Sequence, residues 1–412
     1  MEKGFEQLLR EYAELAIHVG LNLQAGQRLV IRAPIQAAPF VQMAAASAYR
    51  AGARYVDVNY GDERVTLARY QFAPRDSFEE YPVYWAKAME EYASRGDAML
   101  SVYAEDADLL KDQDPELVHL AERTALKYMK PANDHLFAGD FNWCVVGTAI
   151  PSWAARVFPD LPEGEREPRL WEAIFRTCRL DQPDPVAAWR EHIRKLVERA
   201  DRLTERAYTA LHYTGPGTDL TVGLPEGHRW ESGESVTQGG LRFTANIPTE
   251  EVFTLPHKDR VDGFVSSTRP LPHAGNLIDG FRLTFSAGRV VDFHAAKGAG
   301  ALGRLLETDE GARHLGEVAL VPHSSPISQS GVMFFNALFD ENAASHLALG
   351  HAYPSTLVGG EQLSEAEFAS AGGNHSLEHV DFMVGSGEID VDGIRADGSV
   401  EPVMRQGEWA VR

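Results

Sequence analysis

Cysteine is scarce in this sequence, with Cys144 and Cys178 the only two among 412 residues. They form no CxxC pair, and two thiolates cannot build a four-thiolate zinc site. A thiolate zinc site and a framework of disulfides are therefore both excluded. Any metal ion bound here must be held mainly by carboxylates and imidazoles.

Long apolar runs are also missing. No stretch approaches the ~20 apolar residues that a membrane-spanning helix needs. The N-terminal residues, MEKGFEQLLREYAELAIHVG, are acidic and amphipathic, whereas a secretory signal is basic and then apolar. We therefore expect a soluble, cytoplasmic protein that does not interact with a membrane.

Positive charge is in the minority, because 39 Lys and Arg residues oppose 60 Asp and Glu residues and give a net charge of −21. A protein that binds nucleic acid would carry a basic patch, so this balance argues against nucleic acid as a partner. A strongly acidic protein instead raises the local concentration of cations.

Two common hydrolase motifs are absent. The sequence contains no GxSxG, the nucleophile elbow of many serine hydrolases, and no HExxH, the helical zinc motif of many metalloproteases. Neither serine chemistry nor a helical zinc site is therefore supported.

The first half of the sequence alternates between helical and strand patterns. Apolar residues recur at helical spacing from Phe5 to Ala16, and strand-like and helical segments then follow each other. Strand and helix in repeated order predict a mostly parallel sheet with helices on its faces. The long amphipathic helix PVAAWREHIRKLVERADRLTERA closes this predicted α/β domain, residues 1–205.

The second half has short strands broken by glycine and proline, a pattern typical of hairpins. Such segments are YTALHYTGPGTDLTVGLPEG and FRLTFSAGRVVDFHAAKGAG. Helices are predicted in ALGRLLETDEGARHLG, FDENAASHLALG and SEAEFASAG. Residues 206–412 are therefore predicted to form an α+β domain, and two domains suit a chain of this length.

Acids and histidines in this second half lie inside apolar segments, with almost no Lys or Arg nearby. Burying a charge is costly unless the charge is paired or bound to a metal ion. Four such clusters in one domain therefore predict a bound cation. The residues concerned are Glu250, Glu251, Glu317, Asp340, Glu341, His346, His351, Tyr353, Glu378, His379 and Asp381.

The spacing of these residues suits more than one ion. His379 and Asp381 alternate along a predicted strand and share a face, while Asn342 and His346 share a face of a predicted helix with Glu341 at its edge. Two imidazoles and several carboxylates exceed what one tetrahedral ion needs, so we predict two ions with a bridging carboxylate. These ligands suit Zn²⁺, Co²⁺ or Mn²⁺, with Mg²⁺ as a further candidate.

Ordinary structural roles explain each residue as well. Asp340 can be the N-cap of the helix that follows it, and Glu341 can complement the dipole of that helix. A position on a solvated edge would explain Glu250, Glu251 and Glu317, and packing in the core would explain His346 and Tyr353. His351 and Glu378 are not expected to be ligands.

The motifs resemble those of the M29 family of metallo-aminopeptidases, of the aminopeptidase T and aminopeptidase S/PepS type. The resemblance lies, in order, in NIPTEEVFT, VDG, LGEVALVP, SPIS, LFDENAASHLALGHAY and HVDFMVG. It covers most of the C-terminal half, and the N-terminal half fits the family in length and α/β character.

This resemblance implies a dimeric, two-metal exopeptidase that removes N-terminal residues from peptides and whose active sites face an enclosed interior. The metal ligands that it implies are Glu250, Glu317 as the bridge, Glu341, His346, His379 and Asp381. It also implies that Tyr353 stabilises the transition state. With water activated by two cations, Glu317 or Glu251 would relay a proton to the leaving amine.

Other functions remain open from the residues alone. Gly298, Gly300 and Gly303 have the GxGxxG spacing of a dinucleotide-binding loop, so a nucleotide-dependent oxidoreductase is one possibility. The motif follows a predicted antiparallel region and lies far from the α/β half, so a tight glycine turn into a helix is the favoured explanation. Two further possibilities are a dinuclear hydrolase of non-peptide substrates and a non-catalytic metal-binding protein.

Overall fold

A computed structural model describes residues 3–104, 106, 109–273 and 276–410 of the chain. The chain divides into two compact units. The first comprises residues 1–192 and 234–248, and the second comprises residues 193–233 and 249–412. The predicted boundary after residue 205 lies within the second unit.

The first part of the chain alternates helices with strands. Its helices are α1 (Phe5–Leu15), α2 (Ala38–Arg50), α3 (Glu63–Phe72), α4 (Val83–Ser94), α5 (Pro115–Phe137), α6 (Pro151–Val157), α7 (Glu163–Thr177) and α8 (Pro185–Arg206). Its strands are β1 (Arg28–Pro34), β2 (Tyr55–Gly61), β3 (Ala98–Tyr103) and β4 (Trp143–Gly147). Shorter helical turns are the π-turn Ala16–Gly20 and the 3₁₀ turns Ile35–Ala37 and Arg75–Glu79.

The rest of the chain is rich in strands. These are β5 (Ala210–Gly215), β6 (Thr218–Gly223), β7 (Glu231–Ser232), β8 (Glu234–Val236), β9 (Arg242–Thr244), β10 (Asn246–Ile247), β11 (Val252–Thr254), β12 (Val261–Ser266), β13 (Leu271–His273), β14 (Asn276–Ser286), β15 (Arg289–Lys297), β16 (Leu315–Leu320), β17 (His346–Gly350), β18 (His379–Met383), β19 (Asp390–Ile394), β20 (Val400–Arg405) and β21 (Glu408–Trp409). The helices are α9 (Ala299–Leu306), α10 (Pro326–Ser330), α11 (Ala337–Asp340) and α12 (Glu365–Ser370), with 3₁₀ turns at Gly311–Arg313, Glu341–Ala343, Pro354–Thr356 and Gly360–Gln362. Within the described ranges, every helix is too short or too polar to cross a membrane.

A parallel sheet forms the centre of the first unit, in the strand order β10-β4-β3-β1-β2. Val30 and Leu100 on its inner strands are fully buried, as expected for a parallel sheet covered on both faces. Helix α1 buries its apolar face, and the hydroxyl of Tyr12 on that face donates to the carbonyl oxygen of Gly147 at 3.0 Å. The prediction of a mostly parallel α/β domain is confirmed.

The second unit is built from two antiparallel sheets. One has the strand order β18-β17-β16-β11-β7, and the other has the order β13-β14-β12-β6-β5-β19-β20-β21, with β15 paired to β14. Strand β16 lies at the centre of the first sheet, and all of its residues are buried. The prediction of an α+β second half is confirmed.

The helix predicted in FDENAASHLALG is wrong. Helix α11 ends at Asp340, a 3₁₀ turn follows, and strand β17 begins at His346. Pairing with β16 on one side and β18 on the other buries this strand completely, and such tertiary packing outweighs local helix propensity.

Asp340 is also not the N-cap that the sequence suggests. The side chain of Asn336 caps α11 by accepting from the N–H of Leu338 at 3.1 Å. The Asp340 carboxylate instead accepts from the N–H groups of Phe334 and Asn336 at 2.8 and 2.9 Å. It therefore stabilises the loop that precedes the helix.

The GxGxxG loop has a structural role. Gly298 is the N-cap of α9 with a φ of 73°, and a Cβ there would lie 2.7 Å from the carbonyl oxygen of Leu277. The loop follows β15, which pairs antiparallel with β14, whereas a dinucleotide-binding loop belongs to a parallel βαβ unit. This surrounding structure gives no support to an oxidoreductase function.

Candidate metal centre

One face of the sheet β18-β17-β16-β11-β7 carries four of the predicted ligands. Glu317 on β16 is opposite Ala348 on β17, and Ala348 is opposite Asp381 on β18. His346 and His379 lie two residues from these positions along β17 and β18, and therefore share the same face. Strand pairing thus brings together side chains that are far apart in the sequence.

Small residues leave space between these side chains. Ala348 lies between Glu317 and Asp381, and Gly350 lies opposite His379. Gly350 has a φ of 106°, and a Cβ there would lie 2.1 Å from a neighbouring carbonyl oxygen. No larger residue fits at this position, so no side chain lies opposite His379 on β17.

A bulge in strand β16 orients Glu317. The register between β16 and β17 shifts between Leu315 and Glu317. Gly316 lies at the shift, where a Cβ would be 2.2 Å from the carbonyl oxygen of His351. Bulges next to functional sites redirect a side chain, and here the redirected residue is a glutamate that is 6% exposed.

Glu251 immediately precedes β11, the strand on the other side of β16. Phe253 on β11 is opposite Ala319, and its ring lies 6.3 Å from the ring of Tyr353. Glu251 precedes Phe253 by two residues and therefore shares its face. Its Oε2 atom lies 3.2 Å from Nε2 of His346.

Glu250, one of the ligands implied by the family resemblance, lies outside both groups of convergent ligand atoms in the described residues. It is 2% exposed, and its N–H donates to Oδ1 of Asn342 at 2.8 Å. Consecutive residues of an extended segment point to opposite sides, which distinguishes Glu250 from Glu251.

These positions predict different metal contents for two matched variants. We expect Glu251→Gln to lower the metal content below that of the unmodified protein, because it removes a charged ligand from one group. We expect Glu250→Gln to retain the full metal content. Plasma mass spectrometry after gel filtration measures both, and the reverse result would make Glu250 the ligand.

His346 has its two ring nitrogens in different surroundings. Nδ1 lies 3.1 Å from the carbonyl oxygen of Ala344, which fixes the proton on that nitrogen. Nε2 then presents its lone pair to two carboxylates, 3.2 Å from Oε2 of Glu251 and 3.3 Å from Oε1 of Glu317. A lone pair facing two carboxylates is repulsive unless a metal ion or a proton lies between them.

His379 repeats this arrangement on the neighbouring strand. Its Nδ1 lies 2.8 Å from the carbonyl oxygen of His351. Its Nε2 lies 3.5 Å from Oδ1 of Asp381 and 3.8 Å from Oε2 of Glu317. A histidine held through Nδ1 by a backbone carbonyl, with Nε2 facing anions, has the surroundings of a metal ligand.

Glu317 is shared by two groups of possible ligands. One group is Glu251, Glu317 and His346, and the other is Glu317, His379 and Asp381, with the ligand atoms of each group within 4.8 Å of one another. Oε1 of Glu317 faces His346, and Oε2 faces His379. This is the position that a bridging carboxylate would occupy.

The charges of the site fit a pair of divalent cations. Oε2 of Glu251 and Oδ1 of Asp381 are buried and accept no hydrogen bond from the described residues. Glu317 and Glu341 add two more carboxylates, and no Lys or Arg in the described chain pairs with any of the four. Four negative charges would be neutralised by two doubly charged ions, and buried charges require such compensation.

Glu341 lies at the edge of this arrangement. Its Oε1 accepts from the side-chain amide of Asn342 at 3.4 Å, and the same Asn342 supports the backbone of Glu250. Burial, followed by the charges of Glu251 and Asp381, raises the pKa of Glu341 well above its usual value. Glu341 is therefore close to the cluster without belonging to either group.

Tyr353 lies beside His379, with the two ring centroids 4.9 Å apart. Burial, followed by the charges of Glu317 and Asp381, raises the pKa of the Tyr353 hydroxyl. The hydroxyl therefore keeps its proton at neutral pH and can donate a hydrogen bond at the edge of the site.

Protons and cations compete for this cluster. Burial raises the pKa of Glu317 to about 6. Burial lowers the pKa of His379, but the interaction with the nearby Asp381 carboxylate outweighs burial, and the pKa rises to about 9. The pKa of His346 is raised well above its usual value by Glu251 and Glu317 against the effect of burial. Without a metal ion, the site therefore holds protons in its place.

This competition predicts different pH dependence of the melting temperature for the chelated and the metal-loaded protein. His379, with an unfolded pKa of about 6.5, contributes stability below that pH and loses it as the pH rises toward 9. We expect the melting temperature of the chelated protein to fall between pH 6.5 and 9, and that of the metal-loaded protein to fall less or to rise. Parallel melting curves of the two forms would contradict this.

Comparison with known proteins gives the family of the chain. The family described as "Thermophilic metalloprotease (M29)" matches residues 5–409. The chain belongs to the M29 family. Aminopeptidase 2 of Geobacillus stearothermophilus is 50% identical over 98% of both chains. Aminopeptidase AmpS of Bacillus subtilis (strain 168) is 48% identical over 99% of both chains.

A solved structure agrees with this M29 assignment. Wild-type AmpT from Thermus thermophilus matches with a TM-score of 0.93 and 46% identity, covering 99% of this chain and 100% of that one. The predicted family resemblance and the predicted enzyme class, a hydrolase of the metallo-aminopeptidase type, are confirmed. The prediction of a divalent metal is confirmed at the level of the family, and the identity of the ion stays a prediction.

Proposed function

We propose that this M29 protein is an aminopeptidase that hydrolyses the N-terminal peptide bond of peptides with two divalent ions. The observation that carries the proposal is the position of Glu317, whose two oxygens face two separate groups of ligand atoms. The names of the relatives, all aminopeptidases, support the choice of substrate.

The proposed ligands are the residues of the two groups. One ion would be held by Glu251, Glu317 and His346, and the other by Glu317, His379 and Asp381. Glu341 would be a further carboxylate beside the two ions. When bound, such ions supply a water nucleophile at neutral pH and polarise the scissile carbonyl. The carbonyl oxygens that hold Nδ1 of each histidine keep both rings fixed for this task.

The residues of the chain would handle the protons. Glu251 and Glu317 are the proposed proton relays, since both carboxylates lie within the cluster of ligand atoms where the water would be activated. Tyr353, protonated at neutral pH, would donate a hydrogen bond to the oxyanion that forms when the carbonyl is attacked. The homodimer, the cytoplasmic location and the choice among Zn²⁺, Co²⁺, Mn²⁺ and Mg²⁺ remain parts of the proposal.

Tyr353→Phe tests whether the tyrosine hydroxyl stabilises the oxyanion. We expect kcat to fall about a hundred- to a thousandfold, as for removal of one oxyanion donor, with KM changed little. Metal content and melting temperature should stay near those of the unmodified protein, because the ring and its contact with His379 remain. An unchanged kcat would show that the hydroxyl plays no part in catalysis.

A pair of substrates tests the function itself. Leu-Leu-Leu and its N-acetylated form differ only at the amine that an aminopeptidase requires. We expect release of leucine from the free peptide and none from the acetylated one, measured by chromatography of the products. Cleavage of both would make the protein a peptidase of another type, and cleavage of neither would favour a hydrolase of non-peptide substrates.

A further inference from the structure

A cavity of about 300 Å³ opens beside the metal-ligand cluster. Glu341, His379 and Asp381 form one part of its lining. Most of the remaining lining is apolar and includes Pro270, Leu271, Met333, Phe335 and Phe382. A concave apolar site with a few polar groups is the usual form of a site for a small ligand.

Arg269 is the only Lys or Arg among the described residues that line this cavity. Its side chain is half-buried, and within the described residues it makes no hydrogen bond and no close ion pair. Burial lowers its pKa, and the charge of Asp340 acts in the opposite direction. A guanidinium carries five N–H donors in a fork that matches a carboxylate, and no residue that the structure describes accepts a hydrogen bond from the fork of Arg269.

The described residues show no ion pair between Asp340 and Arg269, and the Asp340 oxygens bind the backbone of a neighbouring loop. They accept from the backbone N–H groups of Phe334 and Asn336 at 2.8 and 2.9 Å. These bonds hold the loop in which Phe335 has a φ of 53°, a conformation that is rare for a bulky residue. The loop that forms this wall is therefore fixed in place, and Arg269 keeps its donors for a ligand.

We propose that Arg269 binds a carboxylate of the substrate, and that this carboxylate is the C-terminus of a dipeptide or tripeptide. The inference rests on the proposed function, since it places the cut peptide bond at the cluster and the far end of the peptide at Arg269. An extended peptide advances only about 3.5 Å per residue, so a ligand confined to this cavity is short. The protein is then selective for short peptides with a free C-terminus.

An acidic side chain of the substrate is a second source of a carboxylate for Arg269. Two pairs of substrates distinguish the sources, Leu-Leu against Leu-Leu-amide for the C-terminus, and Leu-Asp-amide against Leu-Asn-amide for the side chain. We expect kcat/KM to favour Leu-Leu over its amide by about ten- to a hundredfold, the range for a hydrogen bond to a charged group. A preference confined to the Leu-Asp-amide pair would assign the carboxylate to the side chain.

Arg269→Gln should bring the Leu-Leu to Leu-Leu-amide ratio close to one, mainly through KM, and Arg269→Lys should retain part of the preference. Arg282→Gln is the matched control, because Arg282 lies in the same unit, packs over Phe264 and does not line the cavity. The ratio should be unchanged in that control. A non-hydrolysable phosphinic analogue of Leu-Leu and its amide, compared by calorimetry, give the same ratio as a binding measurement.

The outcomes separate this inference from the proposed function. If the unmodified protein releases leucine from none of Leu-Leu-Leu, Leu-Leu and Leu-Leu-amide, the proposed function fails. If it cleaves Leu-Leu-Leu but neither Leu-Leu nor its amide, the inference of a site for dipeptides fails and the aminopeptidase function stands. If it cleaves both equally well, or if Arg269→Gln leaves the ratio and the calorimetric preference unchanged, Arg269 binds no substrate carboxylate while the aminopeptidase function stands.

Discussion

Replacing Glu317 with glutamine is expected to abolish peptidase activity, with kcat/KM at least about a thousandfold lower. Each oxygen of Glu317 faces a different histidine, so one residue contributes to both groups of ligands. The amide has nearly the same shape but lacks the charge, and one oxygen is replaced by an NH₂ group that cannot bind a cation. Loss of two-metal catalysis removes several kcal/mol of transition-state stabilisation, and each 1.36 kcal/mol is a factor of ten.

The fold of this variant is expected to survive. Burial raises the pKa of Glu317 to about 6, which shows that its ionised form is unfavourable without a cation. The chelated variant should therefore melt no lower than the chelated unmodified protein at pH 7.5. Glu307→Gln, the same change at an exposed position of the same unit, is the control for activity. Full activity of Glu317→Gln would remove Glu317 from the site.

Removing the metal ions is the second change with a large expected effect. Thorough chelation should lower kcat/KM about a thousandfold or more, since the residues alone offer no activated nucleophile. Zn²⁺, Co²⁺, Mn²⁺ or Mg²⁺ added back singly should restore activity to different extents. The chelated protein should remain folded, because the histidines and carboxylates share protons in place of the ions.

Metal content must be followed in the same samples. A binuclear site predicts that activity returns in proportion to the filling of two sites per chain, as measured by plasma mass spectrometry. Activity that persists in protein with less than about a tenth of an ion per chain would exclude a metal mechanism.

The sequence predicted the fold class and most of the cluster because both depend on local pattern. Alternating strand and helix indicated the parallel sheet, and alternation along HVDFM indicated that His379 and Asp381 share a face. The apolar surroundings of Glu317 and His346 indicated burial. These signals are properties of short segments, and the fold preserves them.

What the sequence did not show depends on contacts between distant segments. The sequence predicts a helix at His346 because nothing local reveals that β16 and β18 pair on either side of this segment. Nothing in the sequence shows that Gly316 lies at a bulge. Glu250 and Glu251 cannot be told apart without knowing which side of the segment before β11 faces the cluster. Arg269 carried no signal either, since its importance lies in the cavity that it lines and in the absence of a partner among the described residues.

Anomalous diffraction from crystals grown with Zn²⁺ tests the central claim most directly, because it locates each ion. We expect two peaks, both next to the Glu317 carboxylate. The ion at one peak should also contact Glu251 and His346, and the ion at the other should contact His379 and Asp381. A single peak away from Glu317, or no peak within this cluster in active protein, would contradict the account.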